Sequence, residues 1–129
     1  MLTYNSLLCY NGFMRIIADL HIHSKYSRAV SKQMDLDTIA QWARWKGIDI
    51  VSTGDFTHAK WLLHIKEKLV EDGSGILKSR DKHKQKFILT AEISSIYKQG
   101  DKTRKVHTLI FAPTIKTVEK INTELSKIG

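Results

Sequence analysis

An α/β fold, with parallel strands alternating with helices, is predicted for this 129-residue chain by three observations. Short apolar, β-branched runs begin at Ile16 and occupy residues 48–52, 87–89 and 106–112, as buried strands do. Between them lie stretches with apolar residues three and four apart, the period of a helix with one buried face. Histidines and carboxylates collect near strand ends, the edge where parallel α/β architectures gather reactive groups. Four such strands are about half of a closed barrel.

The first strand leads from Ile16 into Asp-Leu-His-Ile-His-Ser at residues 19–24. Strand side chains alternate, so His21 and His23 leave one face and can seat a metal ion. Asp19 shares their parity and is expected either to ligate the metal or to accept a hydrogen bond from a ligating imidazole. Residues 24–28 leave the strand as a polar, basic loop. Residues 35–46 form an amphipathic helix with Leu36, Ile39, Ala40 and Ala43 inward, an aspartate at its start and Gly47 at its stop. Trp42 and Trp45 are expected to be packing residues.

The second strand, 48–52, runs into Thr53-Gly54-Asp55, completing a strand–helix–strand unit whose crossover implies parallel pairing. A second helix is predicted over 59–70, ended by Gly73-Ser74-Gly75, with the basic run 78–86 as a solvated loop. The third strand, 87–89, delivers Glu92 just past its end. A polar turn over 97–105 then leads to the fourth strand, 106–112, which opens with His107. Pro113 closes that strand, and a last helix over 114–128 buries Val118, Ile121 and Leu125.

The 21 Lys and Arg against 13 Asp and Glu give a net charge of +8, which favours a polyanionic partner such as nucleic acid or a phosphorylated substrate. Cys9 is the only cysteine, so no intrachain disulfide can form, as suits a reducing cytoplasm. No run is apolar and long enough to span a bilayer and no secretory signal opens the chain, so a soluble cytoplasmic protein without a membrane partner is expected. Met14 directly precedes the first strand; it reads as the natural start, with residues 1–13 a flexible tail and 14–129 a single domain. No Gly-x-x-x-x-Gly-Lys-Ser/Thr loop occurs, which argues against a nucleotide-driven motor.

His21 and His23 after strand one, Asp55 after strand two and Glu92 after strand three together point to a metal centre. Mixed nitrogen and carboxylate donors suit zinc or manganese better than calcium or magnesium. A carboxylate such as Glu92 can bridge two ions, an arrangement for phosphoester hydrolysis. By position alone His107 is the weakest candidate, because it begins an apolar run.

The stretch Asp-Leu-His-Ile-His-Ser, the Thr-Gly-Asp after the second strand, Glu92 and His107 resemble the PHP (polymerase and histidinol phosphatase) domain family from Met14 onward. Within it, His-Ser-Lys-Tyr-Ser-Arg-Ala-Val-Ser, Ser-Thr-Gly-Asp-Phe-Thr-His, Thr-Ala-Glu-Ile-Ser-Ser-Ile-Tyr-Lys and Arg-Lys-Val-His-Thr-Leu-Ile look most like the endonuclease Q branch. The resemblance implies a distorted (β/α)7 barrel holding two or three divalent ions (zinc, manganese or magnesium). It also implies a nuclease that nicks DNA 5′ to deaminated bases. His21, His23, Asp55, Glu92 and His107 would be ligands, with Asp55 and Glu92 catalytic and Glu92 bridging. Asp55 stands where many members have histidine, Ala29 where other branches have a further ligand, and His58 reads as a surface residue or one backing a ligand more than as a ligand itself.

The family's later ligands would fall beyond Gly129, so the resemblance makes this an N-terminal part of a barrel, with low stability and little activity expected of it alone. Lys25, Arg28, Lys32, Lys98, Arg104 and Lys105 would hold the DNA backbone, and a damaged base would be turned out of the helix. Replication or repair proteins are the further expected partners. Two alternatives remain: a small-molecule phosphatase of the histidinol-phosphate type, and a non-catalytic PHP module binding DNA or a partner.

Overall fold

The structure, a computed structural model, describes residues 14–128; the expected tail at 1–13 lies outside them. The described elements are β1 (Ala18–Asp19), α1 (Leu36–Lys46), β2 (Ile50–Ser52), α2 (Ala59–Lys68), β3 (Leu69–Glu71), β4 (Leu77–Ser79), β5 (Lys86–Gln99), β6 (Lys102–Ala112) and α3 (Ile115–Leu125).

The predicted strand–helix–strand unit is present. β1 pairs parallel with β2, Ala18 against Ile50, and β2 pairs parallel with β5, Val51 against Phe87. Asp35 caps α1 by accepting the Thr38 N–H at 3.0 Å, and Gly47, at φ +69°, closes it. Leu36, Ile39, Ala40 and Ala43 are buried as their spacing requires, against a core that includes Val51, Phe87, Leu89, Trp61 and Ile65. In α3 only the Val118 position of the expected stripe is fully buried; Ile121 and Leu125 are half-buried.

Elsewhere the expectation of uniformly parallel strands fails. The sheet is mixed, ordered β1-β2-β5-β4-β3 with β6 also paired to β5, and every pairing of β3, β4 and β6 is antiparallel. The second helix ends at Lys68, because Leu69 turns into the core as the first residue of β3. Gly73-Ser74-Gly75 is therefore the bend of a β3–β4 hairpin, and that hairpin's second strand occupies the start of the run expected to be loop. The third strand continues through Glu92 to Gln99, and the expected polar turn at 97–105 is a strand pair whose turn is confined to Gly100 and Asp101. The first strand is shorter than expected and its apolar lead is uncovered: Ile16, Ile17 and Leu20 are all exposed. Trp42 and Trp45, expected to pack inward, are 52% and 65% exposed and meet each other edge to face. They lie off the buried stripe of α1, and Trp42 borders a groove with Ile22, Met34 and Ile39. No helix among the described residues is long and apolar enough to cross a membrane.

Candidate metal centre

The turn after β2 is built first, and the site hangs from it. The hydroxyls of Thr53 and Thr90 tie this turn to β5: Thr90 N–H donates to Thr53 Oγ1 at 3.2 Å, and Gly54 N–H donates to Thr90 Oγ1 at 3.0 Å. The chain then takes two successive left-handed residues, Gly54 at φ +63° and Asp55 at φ +43°. Position 54 must be glycine, because a Cβ there would overlap the Ile22 carbonyl oxygen. Aspartate is among the few side-chain-bearing types that adopt this conformation readily. The buried Trp61 indole locks the turn by donating to the carbonyls of Thr53 and Gly54 at 3.1 and 3.0 Å. Asn122 Nδ2 of α3 donates to the Phe56 carbonyl at 3.0 Å behind it.

So placed, Asp55 organises the loop after β1. Its Oδ1 lies 3.0 Å from His23 Nδ1, while Oδ2 accepts from the Ser24 N–H, the Ser24 hydroxyl and the Ser27 hydroxyl, each at 2.7 Å. Burial pushes the Asp55 carboxyl up, but the bonds from Ser24, His23 and Ser27 outweigh it and hold it below the usual range. An ionised Asp55 makes His23 Nδ1 the protonated nitrogen and leaves the Nε2 lone pair facing outward.

That Nε2 faces Glu92. His21 Nε2 and His23 Nε2 lie 3.0 and 3.1 Å from the same oxygen, Glu92 Oε2, and the three donor atoms fall within 4.8 Å of one another. The second oxygen, Oε1, meets His107 Nδ1. Glu92 is well covered, whereas the side chains of His21 and His107 are about half exposed. Register explains the meeting: Glu92 pairs with Leu109 and Ser94 with His107, so Glu92 and His107 are diagonal neighbours on one face of the β5–β6 pair. Three lone-pair donors pointed at one spot repel unless a proton or cation lies between them, and two imidazole nitrogens with a carboxylate oxygen are a donor set that divalent zinc or manganese accepts.

Of the sequence candidates, His21, His23, Glu92 and His107 converge, while Asp55 stands behind His23 with both oxygens engaged. Asp19 Oδ1 takes the His21 backbone N–H at 3.4 Å instead of a ring nitrogen. Lys25 is half-buried beside the Tyr26 ring, and Arg28, Lys32, Lys98, Arg104 and Lys105 are exposed. Ser24, Ser27, Thr53, Thr90 and Trp61 received no site role from the sequence, although all but Trp61 lie in the stretches that carry the family resemblance. His58 caps α2, its Nδ1 accepting the Trp61 N–H at 3.4 Å, and stacks on Tyr26 at 4.3 Å.

The same mixed α/β architecture is found in part of a larger nuclease. The lesion-specific endonuclease PfuEndoQ of Pyrococcus furiosus superposes with a TM-score of 0.71 at 31% identity, over 86% of this chain and 25% of that one. Endonuclease Q in complex with a 27-mer duplex substrate carrying an abasic lesion at the active site gives a TM-score of 0.68 at 33% identity, over 83% and 25%. An uncharacterised protein of Methanocaldococcus jannaschii is 38% identical over 109 residues, 84% of this chain and 11% of that protein. The chain thus spans a quarter of the solved relatives and about a tenth of the other. No family model matches it.

Proposed function

We propose that this chain carries the PHP-type metal half-site of a DNA-repair endonuclease of the endonuclease Q kind, acting on duplexes that contain deaminated bases such as uracil. The observation that carries this reading is the convergence of His21 and His23 on one Glu92 oxygen with His107 on the other. Its support comes from the likeness to endonuclease Q, one example of which is bound to lesion DNA. A divalent cation held by these residues would polarise a phosphoryl oxygen and activate water for attack on phosphorus.

The chain's own side chains supply the rest. Glu92 presents one oxygen to His21 and His23 and the other to His107, so it would suit two neighbouring cations. Asp55 fixes the His23 tautomer and ring plane, a positioning role that accounts for the hydrogen bonds gathered on both its oxygens. The net charge of +8 favours a nucleic-acid phosphodiester over a small phosphate ester. Cytoplasmic repair is the setting that fits this chemistry.

Two measurements test the reading. In calorimetric titrations of manganese or zinc into the chain, His23→Ala should abolish tight binding and Asp55→Asn should weaken it about 10- to 100-fold. A chimera carrying residues 14–128 in place of the matching quarter of the P. furiosus enzyme should nick uracil-containing duplex, and His23→Ala should silence it. A folded, metal-loaded chimera that leaves DNA intact and hydrolyses small phosphate esters would replace this reading with the phosphatase one.

A further inference from the structure

β5 and β6 run on past the sheet that anchors them. From Ile93 to Gln99 and from Lys102 to Val106 they pair only with each other, and their side chains are exposed from Ser94 outward. A two-stranded ribbon with no core to cover is marginal in water, and in this chain its outer half is held by strand pairing alone. Residues 96–105 hold Lys98, Lys102, Arg104 and Lys105 against Asp101 alone, a net +3, which complements a polyanion.

Strand parity sorts these charges between two faces. Glu92 and His107 lie on one face, which continues outward as Ile96 opposite Lys105 and then Lys98 opposite Thr103. Each step along the strand advances by about 7 Å per two residues. The reverse face carries Tyr97 opposite Arg104 and Gln99 opposite Lys102, with Arg104 Nε donating to Gln99 Oε1 at 3.2 Å.

We infer that the face shared with Glu92 and His107 is a phosphate track, on which Lys105 and then Lys98 hold successive phosphates of the DNA strand lying in the metal centre. Ile96, 67% exposed beside Lys105, packs against the sugars. Lys102 and Arg104 point away from this strand. The inference rests on the DNA-endonuclease reading and deepens it by giving the substrate strand a direction, out along the ribbon. A two-stranded ribbon also has a width that the major groove admits, so the track can follow the strand without leaving the duplex.

The test compares two double substitutions of equal charge in the 129-residue chain, Lys98→Ala with Lys105→Ala and Lys102→Ala with Arg104→Ala. Binding to a fluorescent uracil-containing duplex is followed by anisotropy from about 50 to 200 mM salt. The first pair should weaken binding about tenfold and flatten the log–log salt dependence by about two, one for each phosphate that no longer meets a lysine. The second should cost no more than about twofold. Equal losses, or a larger loss from the second pair, overturn the track while leaving DNA binding intact. An absence of salt-dependent binding by the unaltered chain sinks the DNA reading together with the track.

Discussion

His64 shows how one side chain sets a pH limit on this fold. It lies half-buried on α2 against the Trp61 indole, and its Nε2 is enclosed without a hydrogen-bond partner. Burial lowers its basicity first; Lys25 and Lys68 lower it further, against smaller opposing pulls from Asp35 and Asp37. The unfolded chain therefore takes up a proton that the folded one refuses. Stability is whole above the unfolded value of about 6.5 and falls as pH drops through the lower folded value. Urea midpoints measured at pH 7.5 and pH 5.5 should show this loss, and His64→Leu should reduce the difference. Asp55 marks a different case, in which one left-handed residue bearing a side chain costs conformational strain of about 1–3 kcal/mol. That strain is offset by the hydrogen bonds that gather on Asp55.

Among the elements, α1 is the most self-sufficient, and its start can be tested alone. Asp35→Ala removes the bond to the Thr38 N–H and should cost about 1 kcal/mol at neutral pH by urea denaturation. Burial raises the Asp35 carboxyl, but its bonds with Thr38 bring it below the usual value. The penalty should accordingly shrink as pH falls below about 4, where unfolded carboxyls protonate and then the folded one. Helix α1 was legible from its sequence because cap, stripe and terminal glycine are all local. The β5–β6 ribbon was not, since residues exposed on both faces feel no pressure to alternate apolar with polar. Part of the site shared that fate. His21, His23 and Glu92 could be read as donors near strand ends, but His107 reaches Glu92 through an antiparallel register that no local pattern encodes. The hydroxyls closing on Asp55 belong to a loop whose path depends on Gly54.

At the scale of the whole molecule, the described sheet is open along β1, which pairs only with β2. Around that edge lie exposed Ile16, Ile17 and Leu20 and the Trp42–Trp45 pair. A groove of about 390 Å³ between β1 and α1 continues this surface, lined by Ile22, Met34, Ile39, Trp42 and Val51 among others. An uncovered strand edge beside apolar surface promotes pairing with another chain. Sedimentation velocity should therefore show self-association that rises with concentration, and Ile16→Lys with Trp45→Glu should suppress it while leaving the far end of the sheet unchanged. The charge of +8 opposes such pairing at low salt and is screened at high salt, so association should strengthen as salt is added.

The indole of Trp61 touches the turn that aims Asp55, while the chain's other two tryptophans face solvent. With Trp42→Phe and Trp45→Phe, the remaining fluorescence would come from a ring enclosed in the core and bonded to the Thr53 and Gly54 carbonyls. Its emission colour would then be an optical gauge of that turn, reporting whether a cation entering beside His23 reaches a frame already set or draws it into shape.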